Sequence, residues 1–363
     1  MNNGNIVNYQ QEVGKIDSQM AKLFEERLKL CRLRSEEDMK NGQIVRNDKA
    51  EEDYIASNID LIPDNEIKPY YVRYLRSVME ISDSFQEMLM SGLKVAYGGV
   101  EGAYAYIAAR NMFPEAHLLS KTDFVEAYRD VENGVCDIAV LPIENSLAGE
   151  VGEVMDLIYQ GSLYINQIYE LPIRHQLLGL KGTSREMIKS VISHPQALSQ
   201  CSGYVRKNGY ETKAAANTSA AAKHLIETND ITTGVIASEE TARIFGLEIL
   251  DSDIQNPGIN TTRFAVFSRS LNMGTPGKKH PTDNFILVFT VRNEAGALAS
   301  TLNIIGAHGY NMRCLRSRPL KSLPWNYYFY MESEGSINTV NGQDMLKELS
   351  VLCADVKLVG TYH

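Results

Sequence analysis

The apolar residues of this chain keep one rhythm up to about residue 90 and another after it, and no single architecture accommodates both. Ile16, Met20, Leu23, Arg27 and Leu30 recur at spacings of 4, 3, 4 and 3, which is one face of an α-helix. Val72, Leu75, Met79, Ser82 and Gln86 repeat the rhythm as 3, 4, 3 and 4 on a second long helix. Polar side chains interrupt both stripes. From residue 93 the apolar residues fall instead in short runs, Leu93–Tyr97, Asp137–Leu141, Ser190–Ile192 and Gly234–Ala237, with helical segments between them. The expected organisation is an all-helical region over residues 1–90 and an α/β region over 91–270.

A third region follows. Leu271–Thr282 holds Gly274, Thr275, Pro276, Gly277 and two lysines, a polar, turn-rich linker. Beyond it, in 283–363, Asn284–Val291 reads as a strand, Leu298–Ala307 as a helix, Met312–Arg316 and Tyr327–Glu332 as strands, Gln343–Leu352 as a helix and Val356–Tyr362 as a strand. That order is βαββαβ, the α+β ferredoxin-like arrangement. A chain of 363 residues has room for three such domains at roughly 100–200 residues each or somewhat less.

Charge narrows the function classes. Lys and Arg number 36 against 45 Asp and Glu, a net charge of −9, and no long basic run exists, so the electrostatic footprint of a nucleic-acid binder is missing. No stretch approaches the roughly 18 apolar residues that span a bilayer, and the N-terminus lacks a cationic segment followed by an apolar core. The expectation is a cytoplasmic protein that neither enters membranes nor binds nucleic acid. Five cysteines, Cys31, Cys136, Cys201, Cys314 and Cys353, lie far apart with no CxxC pair and no Cys/His cluster at metal-ligand spacing. Reduced, mostly buried thiols are expected, with no metal and no cofactor.

Polar residues at strand ends supply the candidate chemistry. Pro142-Ile143-Glu144-Asn145-Ser146 follows a buried-looking strand, so its side chains emerge at the carboxyl end, where open α/β sheets bind ligands. Ser193-His194-Pro195-Gln196 also follows a strand, with Gln200 and Cys201 one to two turns later on a helix. Such a junction offers hydroxyl, amide and backbone N–H donors to a carboxylate. Asn260-Thr261-Thr262-Arg263-Phe264 precedes the strand Ala265–Phe267 and joins a hydroxyl to a guanidinium suited to carboxylates. Taken singly, an Asn or Thr at a strand end is a turn or cap residue.

Together, in this order and spacing, these segments resemble prephenate dehydratases. So does Val95-Ala96-Tyr97-Gly98-Gly99-Val100-Glu101-Gly102-Ala103-Tyr104, and further agreement comes from Val140–Ser146, Ile192–Cys201, Ile236-Ala237-Ser238 and Phe245-Gly246-Leu247. The resemblance covers roughly residues 93–268. It implies two α/β lobes like those of type II periplasmic binding proteins, with the active site in the cleft between them. It assigns catalytic roles to Asn145, Ser193, Gln200 and Thr262, and substrate contacts to Glu144, Thr261 and Arg263. One departure is Ala103 and Ala105, where many relatives place hydroxyls. His194, beside a proline after a strand, reads as an oriented structural residue.

The implied reaction removes the ring hydroxyl of prephenate together with CO2, giving phenylpyruvate on the route to phenylalanine. Hydroxide leaves poorly, so a positioned acid contributes roughly 10²–10⁴-fold. Thr262 is assigned that role, which requires a dry cleft and donors that stabilise the developing alkoxide. Aromatisation drives the step without an electron sink, metal or nucleotide.

The helical region resembles the chorismate mutases often fused upstream of this dehydratase. Arg27, Ser82 and Gln86 match ligand positions of that pocket. Gln10, Asp38, Asn47 and Ala50 stand where the family uses an early Arg, a Lys, an Asp and a later Arg. A mutase holds a dianion in a compact conformer with cations along its breaking ether bond, so these losses imply little or no mutase activity. Bifunctionality is the alternative.

The C-terminal βαββαβ segment resembles ACT domains, which bind amino acids between paired copies. Gly296, Ala297 and Leu298 open the first helix, where free N–H groups favour a carboxylate. Asn311, Ser317 and Arg318 lie around the next strand, with Arg316 where relatives commonly have Glu. The resemblance implies L-phenylalanine as an allosteric effector bound at these six residues, and a homodimer or homotetramer. A non-catalytic amino-acid-sensing binding protein is the competing class. It would need carboxylate contacts but no hydroxyl aligned with a leaving group.

Overall fold

The computed structural model describes residues 3–41, 48–258, 260–272, 283–321, 323 and 325–363, with the backbone alone for 3–8, 38–41 and 48–52. Asn47 and most of the expected linker, 273–282, lie outside the described residues, as do the side chains of Asp38 and Ala50. The chain divides into two compact units, Met1–Lys94 and Val95–His363.

The first unit is helical: α1 (Asn3–Asn41), α2 (Asp48–Asn58) and α3 (Lys68–Ser91). Pro69 sits in the first turn of α3, where its missing N–H costs no helical bond. Helix α1 packs on α3. At 1.5 Å per residue α1 runs about 58 Å and α3 about 36 Å, so α3 covers only part of its partner. The expected stripe on α1 therefore divides. Arg27 turns to α3, while Ile16, Met20, Leu23 and Leu30 are exposed. On α3 the stripe buries Leu75 and Ser82 and half-buries Val72, Met79 and Gln86.

After the boundary, which falls at the first residue of β1 (Lys94–Gly98), come α4 (Tyr104–Met112), β2 (His117–Lys121), α5 (Phe124–Glu132), β3 (Ile138–Asn145), β4 (Gly149–Glu150), α6 (Gly152–Gln160) and β5 (Tyr164–Pro172). The chain then crosses to β6 (Gln176–Gly179), β7 (Ser190–Ser193), α7 (Pro195–Gln200), α8 (Ser202–Asn208), β8 (Glu211–Ala214), α9 (Thr218–Thr228), β9 (Thr233–Ala237), α10 (Glu239–Phe245) and β10 (Glu248–Asp251). It crosses back to β11 (Thr261–Ser268) and ends with β12 (Asn284–Thr290), α11 (Ala297–Ala307), β13 (Met312–Pro319), β14 (Tyr327–Glu334), α12 (Val340–Leu352) and β15 (Asp355–Tyr362). The side chains of Asp123, Asn217, Ser238 and Thr339 cap α5, α9, α10 and α12 by accepting backbone N–H groups that have no partner within the helix.

Among the described residues the strands form two sheets. The five-stranded one has the order β10-β6-β9-β7-β8; the ten-stranded one runs β13-β14-β12-β15-β5-β11-β3-β1-β2, with β4 beside β3. Two crossings, 173–175 and 252–260, join them. A third tie is made by hydroxyls: Ser219 donates to the Glu101 carbonyl at 2.8 Å and Ser238 to that of Gly102 at 3.2 Å. Gly98 ends β1 because a Cβ there would come 2.5 Å from the Phe124 ring.

The βαββαβ segment is not set apart from what precedes it. Strand β15 pairs in parallel with β5 at Gly360 and Ile165, which joins the four strands of the segment to β1–β5 and β11 in the ten-stranded sheet. One apolar core runs through both parts, with Ile143, Met155 and Ile158 among Ile286, Val288, Tyr328, Tyr330 and Val359. The other face of the same four strands carries Phe285, Leu287, Phe289 and Met331 against Ile305 of α11 and Met345 and Leu349 of α12. Strand β12 is buried along its whole length because both faces are covered. No helix of the described residues is long and apolar enough to cross a membrane.

Candidate active site

Strands β3 and β11 are antiparallel neighbours, with Thr262 opposite Asn145 and Arg263 opposite Glu144. Directly opposed residues share a face of a sheet, and successive residues alternate between faces. The register therefore puts Asn145 with Thr262 on one face, and Glu144 with Arg263 on the other.

The Asn145 amide has a determined orientation. Its Oδ1 accepts the backbone N–H groups of Leu147 at 3.0 Å and Ala148 at 2.9 Å, closing a turn. Its Nδ2 then points into the cluster and donates to Thr262 Oγ1 at 3.0 Å and Asn260 Oδ1 at 2.8 Å, with the Thr261 carbonyl at 3.3 Å. Two consequences follow. Thr262 receives a hydrogen bond on its oxygen, so its own proton is left to donate. Asn260, its oxygen engaged, keeps a buried N–H2 without a hydrogen-bond partner. All three side chains are at most 9% exposed, and leaving such a donor unpaired costs roughly 1–3 kcal/mol. Asn260 was not singled out from the sequence, although it stands two residues before Thr262.

The other expected catalytic residues belong to the five-stranded sheet. Ser193 ends β7 fully buried, and its hydroxyl donates to the Ile236 carbonyl of β9 at 2.5 Å, tying two strands together. The expected catalytic hydroxyl is thus occupied by backbone. Gln200 ends α7, and its Oε1 faces His175 Nε2 at 2.7 Å. His175 Nδ1 lies 3.2 Å from the Tyr104 hydroxyl, which donates to the Arg174 carbonyl at 2.7 Å. Burial holds the His175 imidazole below its ordinary pKa, against the pull of the Gln200 hydrogen bond. His175 lies in the crossing between β5 and β6, and no motif in the sequence marks it. His194 caps α7 through Nδ1, in keeping with a structural role.

Backbone bonds along the crossings connect the two groups. Ile173 N–H donates to the Asn260 carbonyl at 2.7 Å, Ile254 N–H to that of His175 at 2.9 Å and Asn256 N–H to that of Gln200 at 2.7 Å. A cavity of about 640 Å³ opens nearby beside Tyr104, Leu171, Arg174, Gln176 and Arg243, but its lining does not include Asn145, Thr262 or Gln200.

Three expected substrate contacts, Glu144, Thr261 and Arg263, lie by strand alternation on the face of the sheet opposite Asn145 and Thr262. Arg263 faces away from Thr262 and makes bidentate bonds of 2.9 and 2.8 Å with Glu332 of β14. Its Nη1 also reaches Glu144 at 3.3 Å, and Glu144 takes a further bond from Arg316 of β13. Burial works against the Arg263 cation, but the Glu332 carboxylate outweighs it and holds the guanidinium pKa above the usual range. Burial likewise raises Glu144, yet Arg316 and Arg263 keep it below the usual carboxylate value. Thr261 lies on the Arg263 face, and what it gives the cluster is its carbonyl.

The effector residues expected in the C-terminal segment also divide. Gly296 precedes α11 with φ +84°, Ala297 is its first residue, and Leu298 is half-buried. Asn311 donates to Glu334 at 3.0 Å, and Ser317 is exposed on β13. Arg318 is on the opposite face of β13 from Ser317. Its guanidinium bonds Glu150, the Gly152 carbonyl at 3.2 Å and Asp156 at 3.2 Å.

In the helical unit Arg27 Nε donates to Ser82 Oγ at 3.1 Å, and its guanidinium lies 5.9 Å from the Tyr54 ring. Ser82 passes its proton to the Val78 carbonyl at 2.7 Å. Gln86 is half-buried one turn further along, and Gln10 is exposed on α1.

Comparison with known proteins places this geometry. Residues 95–272 match the family model described as prephenate dehydratase. The chain is 30% identical to a bifunctional chorismate mutase/prephenate dehydratase of Buchnera aphidicola subsp. Acyrthosiphon pisum, over 99% of this chain and 97% of that one. The crystal structure of prephenate dehydratase from Arthrobacter aurescens in complex with L-Phe superposes with a TM-score of 0.67 at 25% identity, over 74% of this chain and 89% of that one. A protein described as a novel type of quorum-quenching acylase superposes at 0.68 with 30% identity, over 74% of this chain and 97% of its own. Matched over nearly its whole length by a bifunctional relative, the chain belongs to the prephenate dehydratase family, as an enzyme of the type that joins a chorismate mutase-like segment to the dehydratase.

Proposed function

We propose that prephenate loses its ring hydroxyl and CO2 at the Asn145–Asn260–Thr262 cluster, with Thr262 as the proton donor. The observation that carries this reading is the fixed Asn145 amide, which donates to Thr262 Oγ1 and leaves the threonine proton free. As the C–O bond breaks, the electron pair of the C–CO2 bond moves into the ring, the Thr262 proton goes to the departing oxygen, and water and CO2 leave. The transient charge on Thr262 Oγ is stabilised by the Asn145 N–H, because a donor aimed at the charged form favours that form. Solvent then returns the proton to Thr262.

The unpaired Asn260 N–H2 and the Gln200 amide, oriented by His175, are the donors for the substrate's polar groups. In this reading the five-stranded sheet and strands β1–β5 and β11 of the ten-stranded sheet form the two lobes of a fold like that of type II periplasmic binding proteins, with domains at 1–90, 91–270 and 283–363. The C-terminal segment is an ACT regulatory domain that binds L-phenylalanine at Gly296, Ala297, Leu298, Asn311, Ser317 and Arg318 across a homodimer or homotetramer. The relative solved with L-Phe supports it. The helical unit is a decayed mutase, given Gln10, Asp38, Asn47 and Ala50. A second reading, a bifunctional enzyme, is favoured by the Arg27–Ser82 pair and by the full-length bifunctional relative.

A paired assay of the purified chain with chorismate and with prephenate, with and without phenylalanine, tests these points. Turnover of prephenate alone, inhibited by phenylalanine, is the expected result; efficient loss of chorismate selects the bifunctional enzyme. Thr262→Val should lower kcat by roughly 10²–10⁴-fold. Wild-type kcat in that variant would remove Thr262 from the mechanism.

A further inference from the structure

The residue next to Thr262 is a guanidinium that the sequence associates with substrate carboxylates, yet it lies on the far face of the sheet. Arg263 is bonded twice to Glu332, which is 1% exposed and also accepts from the Tyr330 hydroxyl at 2.8 Å and the Tyr362 hydroxyl at 2.6 Å. The residue next to Asn145 is held from the same side. Glu144 binds Arg316 of β13, and Arg263 joins it to the Glu332 pair. Each member of the catalytic pair thus has a neighbour in the chain anchored by a different strand of the C-terminal segment. Two cations, Arg263 and Arg316, face Glu332 and Glu144, with Glu170 3.8 Å from Arg263 Nε as a third carboxylate, so no positive charge is left over to recruit an anionic ligand. Turning Arg263 toward the substrate would strand a buried Glu332 carboxylate, which is strongly unfavourable.

We infer that Arg263 is a positioning residue that never touches substrate, and that Glu332 of β14 is its functional partner. Together they hold β11 in the register that sets the distance from Thr262 to Asn145. The catalytic face is then completed by the C-terminal sheet. Small displacements are costly here, because a shift of about 1 Å in a reacting group can lower a rate by 10²-fold. The inference rests on the reading of Thr262 as the proton donor.

Steady-state kinetics on the full chain tests it with Glu332→Gln, which keeps the shape and removes the charge. The expected result is a kcat lower by roughly 10- to 100-fold with KM for prephenate unchanged, and partial recovery in Glu332→Asp. In a Thr262→Val background Glu332→Gln should cost nothing further, since both changes act on one group. Tyr362→Phe, which removes one hydrogen bond to Glu332, gives a milder version should Glu332→Gln fail to fold, with kcat again falling alone. A lower melting temperature with kcat and KM of the folded enzyme unchanged would reduce the pair to a structural one. A rise in KM for Arg263→Lys with Glu332→Gln at wild-type KM would return Arg263 to the substrate. Thr262→Val measured alone separates the two ideas: if it is inactive while Glu332→Gln is fully active, only the positioning role falls.

Discussion

A carboxamide is useful at a reacting centre only when its two ends cannot exchange, and two backbone donors provide that for Asn145. The same logic makes Asn260 a sensitive probe. Asn260→Asp keeps an oxygen to accept from Asn145 and replaces the free N–H2 by a carboxylate facing a dianionic substrate. We expect kcat/KM for prephenate to fall by roughly 10–100-fold, the equivalent of one charge-assisted hydrogen bond of about 1.5–3 kcal/mol, mainly through KM. Wild-type KM in steady-state assays would confine Asn260 to holding Asn145. His175 makes a pH prediction. Burial lowers its folded pKa below the unfolded value of about 6.5, so the unfolded chain takes up its proton first as pH falls. Its contribution to stability is complete above that value and is lost as pH drops from there to the folded pKa. Urea unfolding between pH 7.5 and 5 should show this decline, with a shallower slope in His175→Gln; equal slopes would assign the pH dependence to other groups. The sequence marks Asn145, Thr262 and Gln200 through their places at element ends. It does not mark His175, whose partners Tyr104 and Gln200 come from segments far away in the chain.

Strand β11 shows how one element serves two faces. Thr262 and Arg263 adjoin in sequence, so the twofold alternation of a strand already forbids their side chains from meeting one ligand on one face; reading the motif as a unit hides this. Strand β13 repeats the pattern, with Arg316 and Arg318 turned inward and Leu315 and Ser317 outward. The junction of β15 with β5 depends on a missing side chain, because a Cβ at Gly360 would lie 2.2 Å from the Ile165 carbonyl. Gly360→Ala should destabilise the second unit by about 1–3 kcal/mol, seen as a lower melting temperature, since neither backbone can yield without breaking the pairing. An unchanged melting temperature would mean that the two halves of the sheet separate at little cost.

Across residues 95–363 the apolar core does not stop where the linker is expected. Strand β12 carried a signal of this, a run of apolar residues from Phe285 to Phe289 with no polar alternation, as in a strand covered on both faces. The sequence by itself determined the order and extent of the elements, because helical and strand periodicities are local, and it determined the residue types at strand ends, because the chain reversals there are local too. Which surface each element meets was decided only by the tertiary structure. Arg263 finds Glu332 across 69 residues of chain, and Arg318 finds Asp156 across 162. Pairings at that separation are fixed by how whole faces bury one another, a condition that no window of the sequence contains.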